Sequence, residues 1–269
     1  MVLIMKKQKV AKVTAVVNQK GGVGKTTTAV SLGYGLVERG EKVLLIDFDP
    51  QSSLTVCMGY DDTDSIEYNI SGLMSEVMQD HEVKEKDKFV LNHNGVDFIP
   101  CNIELSAIEV GLVNTMSREQ QLKQIIRLYQ NDYDYIIIDC SPSLGMLTIN
   151  ALTAADDVII PVACEYLSAK GLELLLKNIL RVRKSLNPDL DIAGILLTMY
   201  KGRTNLSKDI AALINDVYGK SINIYHTMIP VSVKISEASM NGTSIFSHDK
   251  RNKVSLAYKE LVSEVIYND

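Results

Sequence analysis

The chain alternates short, uninterrupted apolar runs with stretches of helical periodicity. Runs rich in β-branched residues end in a polar or turn residue at 13–18 (VTAVVN), 42–47 (KVLLID), 96–100 (VDFIP), 133–139 (YDYIIID), 157–162 (DVIIPV), 193–199 (AGILLTM) and 225–230 (YHTMIP). Runs without apolar–polar alternation fit strands covered on both faces, as in a parallel sheet between helix layers. Between them, Thr26 to Glu38 carries Val30, Leu36 and Val37 and stops at Gly40. Ser117 to Gln130 opens with a capping-box spelling, Ser117 and Gln120. Leu172 to Leu186 repeats leucine at helical spacing and ends before Asn187-Pro188. This order predicts an α/β fold, a doubly wound, mostly parallel sheet flanked by helices.

The 269 residues, 46% of them hydrophobic, suffice for one sizeable core. No repeat or low-complexity linker divides them, so a single domain over 1–269 is expected. It comprises an N-terminal tail at 1–12 and a surface excursion at 61–95, rich in Asp, Glu, Lys and Asn, with a short helix near Ile70–Gln79. The net charge of -5 gives the whole molecule no general attraction for nucleic acid, and any DNA binding requires a local basic patch. Cys57, Cys101, Cys140 and Cys164 stand far apart without a C-x-x-C pair, which reads as buried thiols in a reducing compartment. The dispersed histidines offer no metal site. The start, MVLIMKKQKV, places apolar residues before lysines, the reverse of a secretory signal. No apolar run approaches the roughly eighteen residues of a membrane span. The expected location is the cytoplasm.

The chemistry concentrates after the first strand, in NQKGGVGKTTT (18–28). The common phosphate loop reads G-x-x-x-x-G-K-[ST]. Gly24, Lys25 and Thr26 fit its second half, but Gln19 stands where the first glycine belongs, and an additional lysine, Lys20, precedes Gly21 and Gly22. Strand, glycine loop and helix together bring backbone N–H groups around a phosphate at the helix N-terminus. The segment Lys20, Gly21, Gly22, Val23, Gly24, Lys25, Thr26 and Thr27 is therefore the expected nucleotide cradle. Lys25 is expected to reach the β/γ-phosphates and Thr26 to ligand Mg²⁺. Asp139 ends a strand where a second carboxylate holds magnesium. Asp47 and Asp49 end another, and ligands bind at the carboxyl ends of such strands. One Mg²⁺ does not need three carboxylates, so Asp49 is assigned to the attacking water, with Asp47 supporting it or the metal. Taken singly, either is also compatible with a turn before Pro50.

The segments KGGVGKTTT, DFDPQ, YDYIIIDCSPSLG, NALTAADDVIIPVACEY, LLTMYKGRTNLS and SEAS with its upstream MIP resemble the ParA family of DNA-partition ATPases, within the deviant-Walker-A (MinD/ParA) class. The likeness runs from about residue 13 onward. It implies ATP and Mg²⁺ as ligands and a homodimer that sandwiches ATP, with Lys20 crossing to the partner's phosphates. No arginine lies near these motifs, so Lys20 is also the available second cation for phosphoryl transfer. The resemblance places Thr198, Met199 and Pro230 in the adenine pocket, Asp49 in a first switch and 139–145 in a second. It leaves Asn150 and the Glu165 region as support without assigned contacts.

The same likeness implies nonspecific double-stranded DNA as a partner, a ParB-type centromere-binding protein that stimulates hydrolysis, and a nucleoid-associated cytoplasmic protein without stable membrane association. Arg203, Lys234, Lys250 and Arg251, with Lys253, are the candidate DNA contacts; for each alone a solvated surface charge is an equal reading. The chain departs from relatives in having Val231 for the Arg of I-P-R, Ser239 for the Pro of E-A-P and Ser52 for the Gly of D-P-Q-G. The dozen residues before the first strand leave no room for a helix-turn-helix. Three alternatives stand beside this reading. A MinD-like membrane-cycling ATPase needs a basic amphipathic C-terminal helix, whereas KVSLAYKELVSEVIYND ends acidic and fits a helix packed on the sheet. An iron–sulfur carrier needs a cysteine partner that Cys140 lacks nearby. A metabolite-modifying P-loop enzyme needs further polar groups facing the γ-phosphate.

Overall fold

The computed structural model describes residues 10–267, with the side chains of 166–170 left aside. Residues 1–9, most of the expected tail, lie outside the described residues, as do 268–269. The apolar runs form β1 (Lys12–Val16), β2 (Val43–Phe48), β4 (Val96–Ile99), β5 (Tyr135–Cys140), β6 (Asp157–Ala163), β7 (Asp191–Tyr200) and β8 (Ile224–Pro230), joined by a short β3 (Leu91–His93). They make one sheet in the order β3-β4-β2-β5-β1-β6-β7-β8. All described pairings are parallel except β3 with β4. Burial on both faces explains the missing alternation. Leu44, Ile46 and Phe48 enter one core while Val43 and Leu45 enter the other.

The helices are α1 (Lys25–Val37), α2 (Ser53–Cys57), α3 (Ile70–Met78), α4 (Leu105–Leu112), α5 (Gln121–Tyr129), α6 (Met146–Ala154), α7 (Tyr166–Ser185), α8 (Asn205–Tyr218), α9 (Val233–Met240), α10 (Ile245–His248) and α11 (Lys253–Tyr267). One face of the sheet is covered by apolar side chains of α3 to α8, the other by those of α1, α2 and α9 to α11. Within 61–95, α3 sends Ile70, Leu73, Met74 and Val77 into the core, and β3 extends the sheet edge. The C-terminal segment packs on the sheet, with Val254, Ala257, Leu261, Val262 and Val265 buried and Leu256 exposed.

The capping box at Ser117 is not formed. Ser117 adopts a left-handed conformation (φ 48°), a 3-10 turn covers Arg118–Gln120, and no side chain caps it. The helix starts at Gln121, held instead by the buried Asn150, whose Oδ1 accepts from the Leu122 amide while Nδ2 donates to the Arg118 and Met146 carbonyls.

Candidate nucleotide-binding site

Strand β1 lies between β5 and β6. The loop leaving it therefore opens where connections run to opposite sides of the sheet, the usual ligand position in such folds. Asn18 pins the start of the loop. Its Nδ2 donates to the Pro161 carbonyl (2.7 Å), and its Oδ1 accepts from the Lys20 amide (2.9 Å). Gly22 (φ 72°) and Gly24 (φ 86°) take left-handed conformations that side chains resist. Gly24 caps α1 without a side-chain bond, so no side chain of the cap engages the first N–H groups of that helix.

Lys25 is 8% exposed, and its Nζ donates to the Lys20 carbonyl at 3.3 Å. The side chain thus folds back over the loop. Burial lowers its pKa, opposed by the charges of Asp139 and Asp49. Lys20 stands at the lip, and its Nζ donates to Glu165 Oε2 at 2.8 Å. That contact holds the Glu165 carboxyl below its ordinary range. Sequence reading had placed Lys20 toward another subunit's phosphates; within one chain it pairs with the residue preceding α7.

The register of β2 and β5 sets Asp47 directly beside Asp139. Both are fully buried. Asp47 is committed locally: Oδ2 accepts from the Thr55 amide (2.8 Å) and hydroxyl (2.6 Å), and Oδ1 from the Asp49 amide (3.4 Å). Burial nevertheless pushes it up to about 7. Its geometry braces the turn that carries Asp49, whose Oδ1 accepts from the Gln51 amide (3.0 Å). Asp139 differs. Neither carboxylate oxygen makes a hydrogen bond of normal geometry, although the Thr26 side chain stands close enough to favour the charged form. Burial first, and Asp47 second, raise its pKa well above the ordinary value, against the pull of Thr26 and Lys25. Of the carboxylates read as metal ligands, Asp139 is the one left with buried, unmet oxygens, the condition a cation relieves.

A cleft of about 320 Å³ adjoins the loop, lined by Gly24, Thr27, Thr198, Met199, Pro230 and Ile235 among others. Thr198 serves the loop as much as the cleft, its hydroxyl donating to the Val23 carbonyl at 2.8 Å. Met199 holds a left-handed φ of 51° at the cleft wall, an uncommon conformation of the kind that gathers at binding sites. Ser52 is also left-handed (φ 54°), a conformation that glycine adopts more readily than serine. Asn150 is engaged at the α5–α6 contact, by its bonds with Leu122, Arg118 and Met146.

Arg203 lies in the turn after β7, and Lys250 and Arg251 between α10 and α11, all exposed. Lys234 in the first turn of α9 is paired, its Nζ donating to Glu237 Oε2 at 2.7 Å. Two supports escaped sequence reading. Thr55 lies eight residues from the carboxylate it binds, with no motif to mark it; Asn18 carried a signal, an Asn opening a glycine loop, in the Asx-turn habit of that residue.

A family model described as an AAA domain matches residues 11–192. The sporulation initiation inhibitor protein Soj of Bacillus subtilis is 44% identical over 259 residues, 96% of this chain and 99% of Soj. The chromosome partitioning protein ParA of Caulobacter vibrioides is 41% identical over 258 residues, 95% of this chain and 94% of that protein. Among solved structures, cobyrinic acid a,c-diamide synthase from Mycobacterium smegmatis, with a bound ATP analogue and magnesium, matches with a TM-score of 0.81 at 36% identity, over 94% of this chain and 93% of that one. With its glycine loop, parallel sheet and this identity along nearly its whole length, the chain belongs to the ParA/Soj family of P-loop chromosome-partitioning ATPases.

Proposed function

We propose that this chain hydrolyses ATP as a DNA-partition motor, in which two copies sandwich ATP, the dimer binds DNA without sequence preference, and a ParB-type partner speeds hydrolysis and release. The observation that carries the reading is the pairing of a buried phosphate-side lysine, Lys25, with a second lysine at the lip of the same loop. Lys25 offsets charge on the β/γ-phosphates from within the chain. Lys20, which pairs with Glu165 at the surface, would exchange that partner for another subunit's phosphates. Asp49, on the turn braced by Asp47 and Thr55, orients the attacking water.

The residues present fit magnesium. Thr26 and Asp139 would hold it as hard oxygen donors, and the orphaned Asp139 carboxylate supports that assignment. Among the described residues no group of three or more His, Cys, Asp or Glu forms a metal site, so substrate oxygens and water would complete the coordination. When bound, the ion would neutralise charge that builds on the phosphates during transfer.

Arg203, Lys250 and Arg251 are the proposed DNA contacts, acting on phosphates in a salt-dependent manner. Lys234 would first have to leave Glu237. The MinD-like alternative gains little from α11, most of whose apolar residues are spent on the sheet with only Leu256 and Tyr267 exposed among its large ones, and no helix among the described residues is long and apolar enough to cross a membrane. We expect a cytoplasmic, nucleoid-associated protein forming one domain over 1–269. Sedimentation with Mg·ATP, plasmid DNA and lipid vesicles tests this. ATP-dependent co-sedimentation with DNA that fades with salt supports it, whereas binding to vesicles and not to DNA selects the membrane-cycling alternative. Lys20→Ala should bind ATP yet lose at least about 10³-fold in turnover, the scale of a lost transition-state cation.

A further inference from the structure

The second switch runs from Asp139 to the start of α6, and its far end is held by a residue from a different helix. Glu109 lies on α4, half-buried, and its Oε1 accepts from the Leu147 amide in the first turn of α6 at 3.4 Å. The helix has no side-chain cap of its own, because its N-cap is Gly145. A carboxylate here meets an unsatisfied N–H and the positive end of the helix dipole.

Gly145 fits this arrangement through space. Its φ is -72°, which any residue adopts. A Cβ at this position would stand 2.0 Å from Glu109 Oε1 and 3.1 Å from Cδ. The glycine therefore leaves room for the carboxylate, and any side chain there would push it away. The rest of the loop closes on itself: the Thr148 hydroxyl donates to the Ser143 carbonyl at 2.7 Å, the Gly145 amide to Ser143 Oγ at 3.3 Å, and Ser141 and Ser143 share a 3.1 Å contact. Leu144 also packs against the core, and Glu109 adds a hydrogen bond from outside the loop.

We propose that Glu109 is a positioning residue for ATP hydrolysis, capping α6 so that the loop beginning at Asp139 keeps a fixed register beside the phosphates, and that Gly145 is glycine to admit this carboxylate. The inference rests on the ATPase reading above. Glu109 touches neither substrate nor metal, so its loss changes turnover more than nucleotide binding.

The test compares wild type, Glu109→Ala, Glu109→Gln, Gly145→Ala and the Glu109→Ala/Gly145→Ala double variant in full-length protein. Steady-state ATPase assays are run alongside hydrogen exchange at the α6 N-terminus. Glu109→Ala should lower kcat about tenfold, about 1.4 kcal/mol, with KM for ATP within about twofold. Glu109→Gln retains an acceptor oxygen and should restore most of kcat. Gly145→Ala should reproduce Glu109→Ala, and the double variant should match either single one, since both remove the same contact. Exchange at Leu147 should quicken in every variant but Glu109→Gln. Wild-type kcat in Glu109→Ala, a change confined to KM, or additive losses in the double variant overturn the proposal. If wild type itself does not hydrolyse ATP, the functional reading fails. In that case unchanged exchange at Leu147 also removes the capping role, whereas quickened exchange keeps it as capping alone.

Discussion

Replacing Asp139 by asparagine should stabilise the ligand-free protein and weaken its response to Mg·ATP. Most buried carboxylates are held by partners, and their removal is costly. Asp139 has none of normal geometry for either oxygen, lies fully buried and sits in register beside Asp47. In the absence of ligand it must either keep a proton or carry a buried charge offset only by the nearby Lys25 and Thr26, and Asp139→Asn removes that charge. The cost of an unsatisfied buried polar group is about 1–3 kcal/mol, more for a charge. Asp139→Asn removes the charge, whereas its amide still lacks partners, so it should recover only the charge-related part, about 1 kcal/mol, raising Tm by roughly 2–4 °C in a chain of this size. Mg·ATP at about a hundred times its Kd stabilises wild type by about 2.7 kcal/mol, and the part of that gain owed to magnesium should vanish in the variant. Differential scanning fluorimetry at pH 8, in EDTA and then in Mg·ATP, reads both effects, and the variant's advantage over wild type should shrink in Mg·ATP. A variant less stable than wild type in EDTA by 1 kcal/mol or more would refute the idea that this carboxylate waits for a cation.

Asp47, raised to about 7 by burial, keeps a proton that the unfolded chain releases near pH 3.8, so its contribution to stability falls as pH rises through that window. Relative to Asp47→Asn, wild type in EDTA should lose about 2 kcal/mol between pH 5.5 and 7.5 in urea melts; a flat difference would contradict the burial argument. Ser52→Gly relieves a left-handed serine, a cost of about 1–2 kcal/mol set against about 0.4–1 kcal/mol of added chain entropy, so a net gain of about 0.5 kcal/mol is expected in denaturant melts. Glu165→Ala breaks a solvent-exposed ion pair and should change stability by less than about 1 kcal/mol, because such pairs contribute little.

Most of the sheet was legible because its strands are buried on both faces and write themselves as apolar runs. The exception was β3, whose Leu-Asn-His sequence has no such run and pairs only at the edge. Helix starts were less legible. At Ser117 the local spelling favoured a capping box, yet Asn150 from α6 supplied the bonds, a tertiary contact 28 residues away from Leu122. The strand, glycine loop and helix start were legible from Gly24-Lys25-Thr26, and the reading of that loop as a phosphate cradle rests on their spacing. What spacing could not reveal was the inequality of the carboxylates. Asp47 and Asp139 end neighbouring strands alike, and Thr55, brought in by the turn after β2, together with the Asp49 amide, separates the satisfied one from the orphan. The Lys20–Glu165 pair was likewise out of reach, since 145 residues separate its members.

The central claim, that Lys20 serves the ATP of a second copy, is tested most directly by mixing two inactive variants. Lys20→Ala keeps Asp49 and lacks the lysine; Asp49→Ala keeps the lysine and lacks the water-orienting carboxylate. In a face-to-face pair, ATP held by the Lys20→Ala chain would meet its own Asp49 and the other chain's Lys20. An equimolar mixture should then regain about a quarter of wild-type turnover, since half of randomly formed pairs are mixed and each has one complete site of two. If Lys20 acts only within its own chain, no pairing completes a site, and a mixture as inactive as its components would contradict the account.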